Sequence, residues 1–203
     1  MKVKICGMKH EENIQEVAQL HPDYMGFIFY EKSPRYFNGY LPILPQPTQK
    51  IGVFVDAYLD DILDKVRRYN LQFVQLHGNE TPDFCKLFQQ TDAKVIKVFS
   101  VDNTFDFEVI KPYENVCDYF LFDTKGEKPG GNGTPFNWQL LSHYTSTKPF
   151  FLSGGIGLED IEAIKKLNVP IHAIDVNSKF ETEPGIKNVS NCKELIVSLH
   201  SNN

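Results

Sequence analysis

The stretch F-F-L-S-G-G-I-G-L-E-D-I-E-A-I-K-K-L, residues 150–167, combines a strand-like run, a glycine turn and a helix-like segment. The run 150–153 begins as continuous apolar residues without polar alternation, which indicates a strand covered on both faces. Apolar residues then recur at the spacing of one helical face: Leu158, Ile161, Ile164 and Leu167. The stretch therefore predicts one βα unit of a parallel sheet.

The same alternation continues through the whole sequence. Strand-like runs occupy residues 3–6, 24–29, 50–55, 73–77, 94–99, 119–123, 150–153 and 172–176. Helical spacing recurs between them, as at Leu59, Ile62, Leu63 and Val66. Eight strands and about seven helices, at roughly 25 residues per unit, predict an α/β fold: one (β/α)8 TIM barrel over residues 1–203. A doubly wound open sheet is the structural alternative.

Proline and capping patterns set the expected helix bounds. Residues 33–48 contain four prolines, so the second helix is expected to be short or irregular. Thr81-Pro82 and Thr134-Pro135 each offer a cap followed by proline in the first turn. Asn191 and Glu194 predict a capping box for the last helix.

The composition of the chain argues against several classes of function. The net charge of -5 argues against a general nucleic-acid binder, which needs clustered basic residues. The N-terminus does not resemble a signal peptide and no apolar run has the length of a membrane span, so no membrane partner and a cytoplasmic location are predicted. Four widely separated cysteines favour neither a metal site nor a disulfide framework: Cys6, Cys85, Cys117 and Cys192.

A barrel has its active site at the carboxyl ends of its strands. The ends of the seventh and eighth strands carry glycine and small polar residues suited to a phosphate: Gly154, Gly155, Asn177 and Ser178. Exposed N–H groups there would hold a dianion. The alternative is that the glycines serve only tight turns. A second glycine cluster at 128–135 is interpreted as a mobile active-site loop, with a plain flexible connection as the alternative.

Two strand ends carry groups able to move protons. Cys6 ends the first strand and Asp123 the sixth, so both are expected to point into the mouth. A thiolate would remove a proton if the pKa of Cys6 falls below its free value of about 8.5, and a protonated carboxyl would deliver one. Arg35, in a nearby loop, could bind a carboxylate or face solvent, and His77 could contact a ligand or be structural.

Taken together, the motifs resemble those of the phosphoribosylanthranilate isomerase family. They are K-I-C-G-M (4–8), S-P-R-Y-F (33–37), F-V-Q-L-H-G (73–78), F-D-T (122–124), G-G-N-G-T-P-F-N-W (130–138), L-S-G-G-I (152–156), D-V-N-S (175–178) and E-x-x-P-G-I-K (181–187). The resemblance implies an Amadori rearrangement in tryptophan biosynthesis, which converts N-(5-phosphoribosyl)anthranilate into 1-(2-carboxyphenylamino)-1-deoxyribulose 5-phosphate. It implies no metal or organic cofactor, and a monomer or homodimer.

The resemblance also implies residue roles. Cys6 is expected to be the general base at the ribose C2′, and Asp123 the general acid at the ring oxygen. Arg35 is expected to hold the anthranilate carboxylate and Asp175 to lie near the substrate amine. The sequence departs from the family pattern at Asn132, Lys179-Phe180 and Asn188. A sugar-phosphate isomerase of histidine biosynthesis and a non-catalytic barrel that binds an anionic metabolite remain the alternative functions.

Overall fold

The computed structural model describes residues 1–124 and 136–200, and within them eight parallel strands close into a barrel. The strands are β1 (Lys2–Ile5), β2 (Tyr24–Ile28), β3 (Gln49–Phe54), β4 (Phe73–Leu76), β5 (Lys94–Val101), β6 (Tyr119–Thr124), β7 (Phe150–Leu152) and β8 (Ile171–Val176). Strands adjacent in the chain pair with each other, and β8 pairs with β1. The predicted TIM barrel is confirmed, and the open sheet is wrong. The predicted loop at 128–135, the Thr134-Pro135 cap and Asn132 lie outside the described residues.

The helices around the barrel are shorter than the sequence predicts, and several of them are 3-10 helices. The α-helices among the described residues are α1 (Glu11–Ala18), α2 (Leu59–Tyr69), α3 (Pro82–Lys86), α4 (Ile161–Ile164) and α5 (Val189–His200). Short 3-10 helices cover Leu87–Gln90, Phe107–Tyr113, Trp138–His143, Leu158–Asp160 and Ser178–Phe180. A hairpin of β9 (Glu181–Glu183) and β10 (Ile186–Lys187) precedes α5. None of these helices combines the length and apolar character needed to cross a bilayer.

Local sequence explains several of these differences. The predicted helix over residues 158–167 splits into a 3-10 turn and the single-turn α4. Residues 29–48, all of them described, contain no helix where a short or irregular one was predicted, because their prolines oppose helix formation. The Thr81 hydroxyl accepts from the Phe84 N–H as a cap, as predicted. The capping box at Asn191 is wrong, because α5 begins at Val189 and the Asn188 side chain accepts from the Asn191 N–H.

Strand alternation divides the buried residues into two apolar layers. One cluster packs between the outside of the barrel and the helices and includes Val3 and Ile5. A second fills the barrel interior: Tyr24, Ile51, Phe73, Ile96, Val98, Leu121, Phe151 and Ala173. Further along the strands, towards their carboxyl ends, inward positions change from apolar to polar at Lys4, Gln75 and Asp175. The apolar interior cluster therefore lies beneath a layer of buried polar side chains at the mouth of the barrel.

A buried carboxylate holds the ends of three neighbouring strands together. Glu80 accepts hydrogen bonds from the backbone N–H groups of Asp56 (3.0 Å) and Gly78 (3.0 Å). It also pairs with Lys97 Nζ at 3.0 Å, and both side chains are buried. Lys97 Nζ in turn donates to the Gly78 carbonyl oxygen at 2.7 Å. This clamp fixes the β4 end that carries His77 in the mouth.

Removing the clamp carboxylate is expected to destabilise the fold strongly. Glu80→Leu leaves the Lys97 ammonium buried without its counter-charge, which typically costs about 3–5 kcal/mol in the free energy of unfolding. Glu162→Ala, which removes an exposed ion pair with Lys165, should leave the free energy of unfolding unchanged. Urea unfolding of both variants measures the difference, and equal midpoints would contradict a clamp at Glu80.

Candidate active site

One cavity opens at the carboxyl ends of the strands, with a volume of about 730 Å³ including the space that opens to solvent. All the residues predicted for the site line it: Cys6, Arg35, His77, Asp123, Gly154, Gly155, Asp175, Asn177 and Ser178. They come from both halves of the chain and from separate strands and loops. The barrel therefore brings the predicted acid, base and binding residues to one cavity.

The rim after β7 and β8 has the features of an anion site. Gly154 and Gly155 have positive φ values of 97° and 67°, so their backbone favours glycine. Among the described residues, the backbone N–H groups of Gly154, Gly155 and Ser178 have no hydrogen-bond acceptor. Unpaired N–H groups on such loops bind phosphate oxygens.

The Asn177 amide is oriented by a buried lysine. Lys187 Nζ donates to Asn177 Oδ1 at 2.7 Å. Because an ammonium only donates, the contacted atom must be the amide oxygen, and the Asn177 NH₂ group is left to face elsewhere. Gly7 makes room for this contact: its φ is +74°, and a Cβ there would lie 2.6 Å from Asn177 Oδ1.

Arg35 is held by a carboxylate of the β9–β10 hairpin. Its Nε lies 2.9 Å from Glu181 Oε1, and its Nη2 lies 2.6 Å from Glu181 Oε2. Glu181 also pairs with Lys187 at 2.5 Å. Burial opposes ionisation of Glu181, but the hydrogen bond from Arg35 and the charge of Lys187 outweigh it and lower the pKa of Glu181. Arg35 is thus fixed at the cavity wall with Nη1 outside this bidentate pair.

Cys6 lies on the cavity floor and is only 5% exposed. Its N–H continues the ladder to the Val176 carbonyl at 2.9 Å, so the side chain is fixed by β1 and β8. Burial raises the pKa of the thiol, and the charge of Asp175 acts in the same direction, although Lys4 and Lys187 lower it. The condition set for a thiolate base, a pKa of Cys6 below its free value, is not met in this structure, because desolvation of the thiolate outweighs the attraction of the two ammonium groups.

Asp123 lies on the opposite wall with a histidine beside it. Its Oδ1 accepts from the Thr124 N–H at 3.0 Å. Its Oδ2 is 3.4 Å from His77 Nε2, a contact that is not aligned as a hydrogen bond. His77 Nδ1 is 3.3 Å from Gln75 Nε2. His77 therefore contacts the predicted acid directly.

The two carboxylate oxygens of Asp175 differ in their contacts with the described residues. Its Oδ2 pairs with Lys4 Nζ at 2.9 Å, and both side chains are buried. Its Oδ1 is buried and has no hydrogen-bond partner in the described part of the chain. Burial raises the pKa of Asp175, which Lys4 opposes. A buried acceptor that lines a cavity is suited to a donor group on a ligand.

A sequence model of the family described as N-(5'-phosphoribosyl)anthranilate isomerase matches residues 3–198. The chain belongs to this family. It is 43% identical over 207 residues to an isomerase of this name from Parabacteroides distasonis, covering 98% of this chain and 93% of the relative. A solved phosphoribosylanthranilate isomerase from Thermotoga maritima is 32% identical, with a TM-score of 0.85 over 97% of each chain. A family structure solved with reduced 1-(o-carboxyphenylamino)-1-deoxyribulose 5-phosphate is 31% identical, with a TM-score of 0.82 over 97% of each chain.

Three polar residues that hold the site residues in place were not predicted: Lys4, Glu181 and Lys187. Lys4 had a readable signal, because it stands two residues before Cys6 in a strand and so points to the same side. Glu181 and Lys187 stand in the E-x-x-P-G-I-K motif, but their pairing depends on the β9–β10 hairpin. Lys179, a departure from the family pattern, lines the cavity 3.6 Å from Glu159.

The glycine rim predicts a measurable response to inorganic phosphate. Gly154→Ala forces a strained φ and brings a Cβ within 2.5 Å of the Thr124 nitrogen. We expect a loss of about 1–3 kcal/mol in stability and a smaller phosphate-induced rise in Tm. Gly39→Ala is the control, because a Cβ there meets only a Phe37 ring carbon at 3.7 Å. A full phosphate response in Gly154→Ala would contradict this site.

Proposed function

We propose that the chain is an N-(5'-phosphoribosyl)anthranilate isomerase that acts in tryptophan biosynthesis. The observation that carries the proposal is the presence of a thiol, a carboxyl group and an anion rim in one cavity of a family member. The substrate has matching parts: a ribose ring to open, a C2′ proton to remove and a 5′-phosphate to anchor. Each part has a candidate partner among the residues that line the cavity.

The first step opens the ribose ring. Asp123 gives its proton to the ring oxygen, the bond between that oxygen and C1′ breaks, and its electron pair stays on oxygen. The anthranilate nitrogen lone pair then forms the C1′=N bond of a protonated Schiff base. The iminium charge makes the neighbouring C2′ proton acidic.

The second step moves hydrogen between the carbons. The Cys6 thiolate takes the C2′ proton, the electron pair forms C1′=C2′, and the iminium electrons return to nitrogen. Return of a proton to C1′ and loss of the 2′-hydroxyl proton give the ketone and restore both side chains. Each bond change is assisted by a proton transfer, and each positioned acid or base contributes about 10²–10⁴-fold.

The remaining cavity residues are proposed to hold the substrate at its two ends. The N–H groups of Gly154, Gly155 and Ser178, with the Asn177 amide, receive the phosphate. Arg35, fixed by Glu181, presents Nη1 to the anthranilate carboxylate, a pairing that guanidinium geometry favours. Asp175 Oδ1 accepts from the substrate amine. Fixing both ends holds C2′ and the ring oxygen between Cys6 and Asp123.

The other functions considered have less support. A histidine-pathway sugar-phosphate isomerase does not fit the family match, and the conversion of each substrate separates the two activities directly. A non-catalytic barrel would bind a product analogue without turnover. A cytoplasmic location and a monomeric or homodimeric state remain predictions from the sequence.

The decay of phosphoribosylanthranilate fluorescence with purified protein tests the function and both proton-transfer roles. Cys6→Ser and Asp123→Asn preserve size but remove the thiolate and the acidic proton. Each should lower kcat by at least about 100-fold and leave the unfolding midpoint near that of the wild type. Cys192→Ala, which removes a buried thiol outside the cavity, should retain kcat. Near-normal turnover in Cys6→Ser or Asp123→Asn would refute that residue's role.

A further inference from the structure

A chain of polar contacts crosses the barrel between β8 and β6. Lys4 Nζ, on β1, lies 2.9 Å from Asp175 Oδ2 and 2.8 Å from Gln75 Oε1. Gln75 Nε2 lies 3.3 Å from His77 Nδ1, and His77 Nε2 lies 3.4 Å from Asp123 Oδ2. Lys4 and Gln75 are buried and occupy inward positions beneath the mouth. The contacts therefore link Lys4 to the wall that carries the proposed acid.

Lys4 also lies beside the proposed base. Lys4 lies on β1, and Cys6 directly follows that strand and continues its ladder, so the two side chains point to the same side. A Cβ built on Gly26 would lie 2.7 Å from Cys6 Sγ and 3.1 Å from Lys4 Cε, so the two side chains flank the same point of β2. Gly26 leaves that space open. The Cys6 sulfur and the aliphatic part of the Lys4 side chain therefore pack against the backbone of Gly26.

The contacts of Lys4 determine which nitrogen of His77 carries hydrogen. An ammonium only donates, so the Gln75 atom that it contacts is the amide oxygen. The Gln75 NH₂ group therefore faces His77 Nδ1, which must accept. In the neutral ring the hydrogen is then on Nε2, the nitrogen that faces Asp123.

We propose that Lys4 is a positioning residue for both proton-transfer groups: its ammonium stabilises the Cys6 thiolate, and through Gln75 it fixes the His77 tautomer that faces Asp123. The proposal rests on the proposed function, because it needs Cys6 as base and Asp123 as acid. When Asp123 has given its proton to the ring oxygen, the carboxylate that forms turns to accept the His77 Nε2–H. The 3.4 Å contact then shortens into a hydrogen bond.

Several charged groups face Cys6, and their effects have opposite signs. Lys4 from β1 and Lys187 from β10 lower the pKa of the thiol, whereas burial and Asp175 from β8 raise it. The charges of Asp123 and His77 act in turn on the pKa of Asp175, and those of Glu181 and Arg35 act on the pKa of Lys187. Removal of the Lys4 charge removes a group that favours the thiolate. The pKa of Cys6 must then rise further, and the ascending limb of kcat/KM must move to higher pH.

Lys4→Met tests the thiolate part of the proposal with two readouts. The first is the pH dependence of Cys6 alkylation by iodoacetamide, measured by peptide mass spectrometry so that the other cysteines do not contribute. Its midpoint should rise by at least about one pH unit. The second is turnover: kcat should fall at least about tenfold near neutral pH and recover as pH rises. A loss of kcat that is equal at every pH, or an unchanged alkylation midpoint, overturns this part.

Lys97→Met is the matched control for the alkylation measurement. Lys97 is also a buried, ion-paired lysine, but its ammonium contacts Glu80 and the Gly78 carbonyl oxygen instead of Asp175 and Gln75. Its removal should leave the alkylation midpoint of Cys6 unchanged. A shift as large as that in Lys4→Met would show that the effect is not specific to Lys4, and would overturn the proposal.

NMR of the His77 ring nitrogens tests the tautomer part without relying on Lys4→Met to fold. In the wild type the nitrogen shifts should report hydrogen on Nε2, and Gln75→Leu should give a mixture of tautomers. Gln75→Leu should also lower kcat while leaving the Cys6 alkylation midpoint in place. Hydrogen on Nδ1 in the wild type, or an unchanged tautomer in Gln75→Leu, overturns this part.

These measurements distinguish failure of the inference from failure of the proposed function. If wild-type protein turns over phosphoribosylanthranilate and Cys6→Ser does not, the base is supported. Lys4→Met then tests the inference alone. If the wild type has no turnover, or Cys6→Ser turns over normally, the function or its base fails first, and the inference fails with it.

Discussion

The pairing of β1 with β8 is the contact on which the site depends. It closes the barrel and places Lys4 directly opposite Asp175 in the register of the two strands. Those residues lie 171 positions apart in the sequence, yet their side chains form a buried ion pair. The same pairing sets Cys6 beside the loop that carries Asn177 and Ser178. Without closure, the thiol and the anion rim would belong to different ends of an open sheet.

The price of this arrangement is a group of charges buried beneath and around the cavity. Lys4 pairs with Asp175, and Lys187 pairs with Glu181, all four with little exposure. Buried pairs of this kind contribute little net stability, because desolvation offsets most of their attraction. These pairs instead fix positions, because each one orients a hydrogen-bond donor or acceptor that faces the cavity. The pairs orient Asn177, Arg35 and Gln75. Asp175 Oδ1 has no hydrogen-bond partner among residues 1–124 and 136–200.

The strands, the barrel and the residues that meet at its mouth could be predicted from the sequence, because each strand ends in a change from apolar to polar or glycine residues. The lengths and types of the helices could not be predicted equally well from the sequence. The spacing from Leu158 to Leu167 is that of a helix, but the chain forms only a 3-10 turn and α4 there. Periodicity marks the buried face of a segment and does not fix how many turns close.

The ionisation of the site residues also could not be predicted from the sequence. The direction of the pKa of Cys6 depends on a balance between burial and the charges of Lys4, Lys187 and Asp175. Two of those groups are distant in the sequence: Asp175 on β8, and Lys187 in the hairpin that was not predicted. The restraint of Arg35 by Glu181 likewise needs the fold of β9 and β10. The motifs predict that these residues lie at the mouth of the barrel. Their hydrogen-bond and ion-pair partners can be seen only in the structure.

The claim at the centre of this account is that a thiol and a carboxyl group act on opposite parts of one ribosyl unit. A crystal structure of the chain with reduced 1-(o-carboxyphenylamino)-1-deoxyribulose 5-phosphate tests it most directly. The account predicts Cys6 Sγ in contact with C2′, the Asp123 carboxyl on the side of the sugar oxygens, and the phosphate on the backbone of Gly154 and Gly155. A ligand bound with its phosphate elsewhere, or with Cys6 out of contact with the sugar carbons, would contradict it.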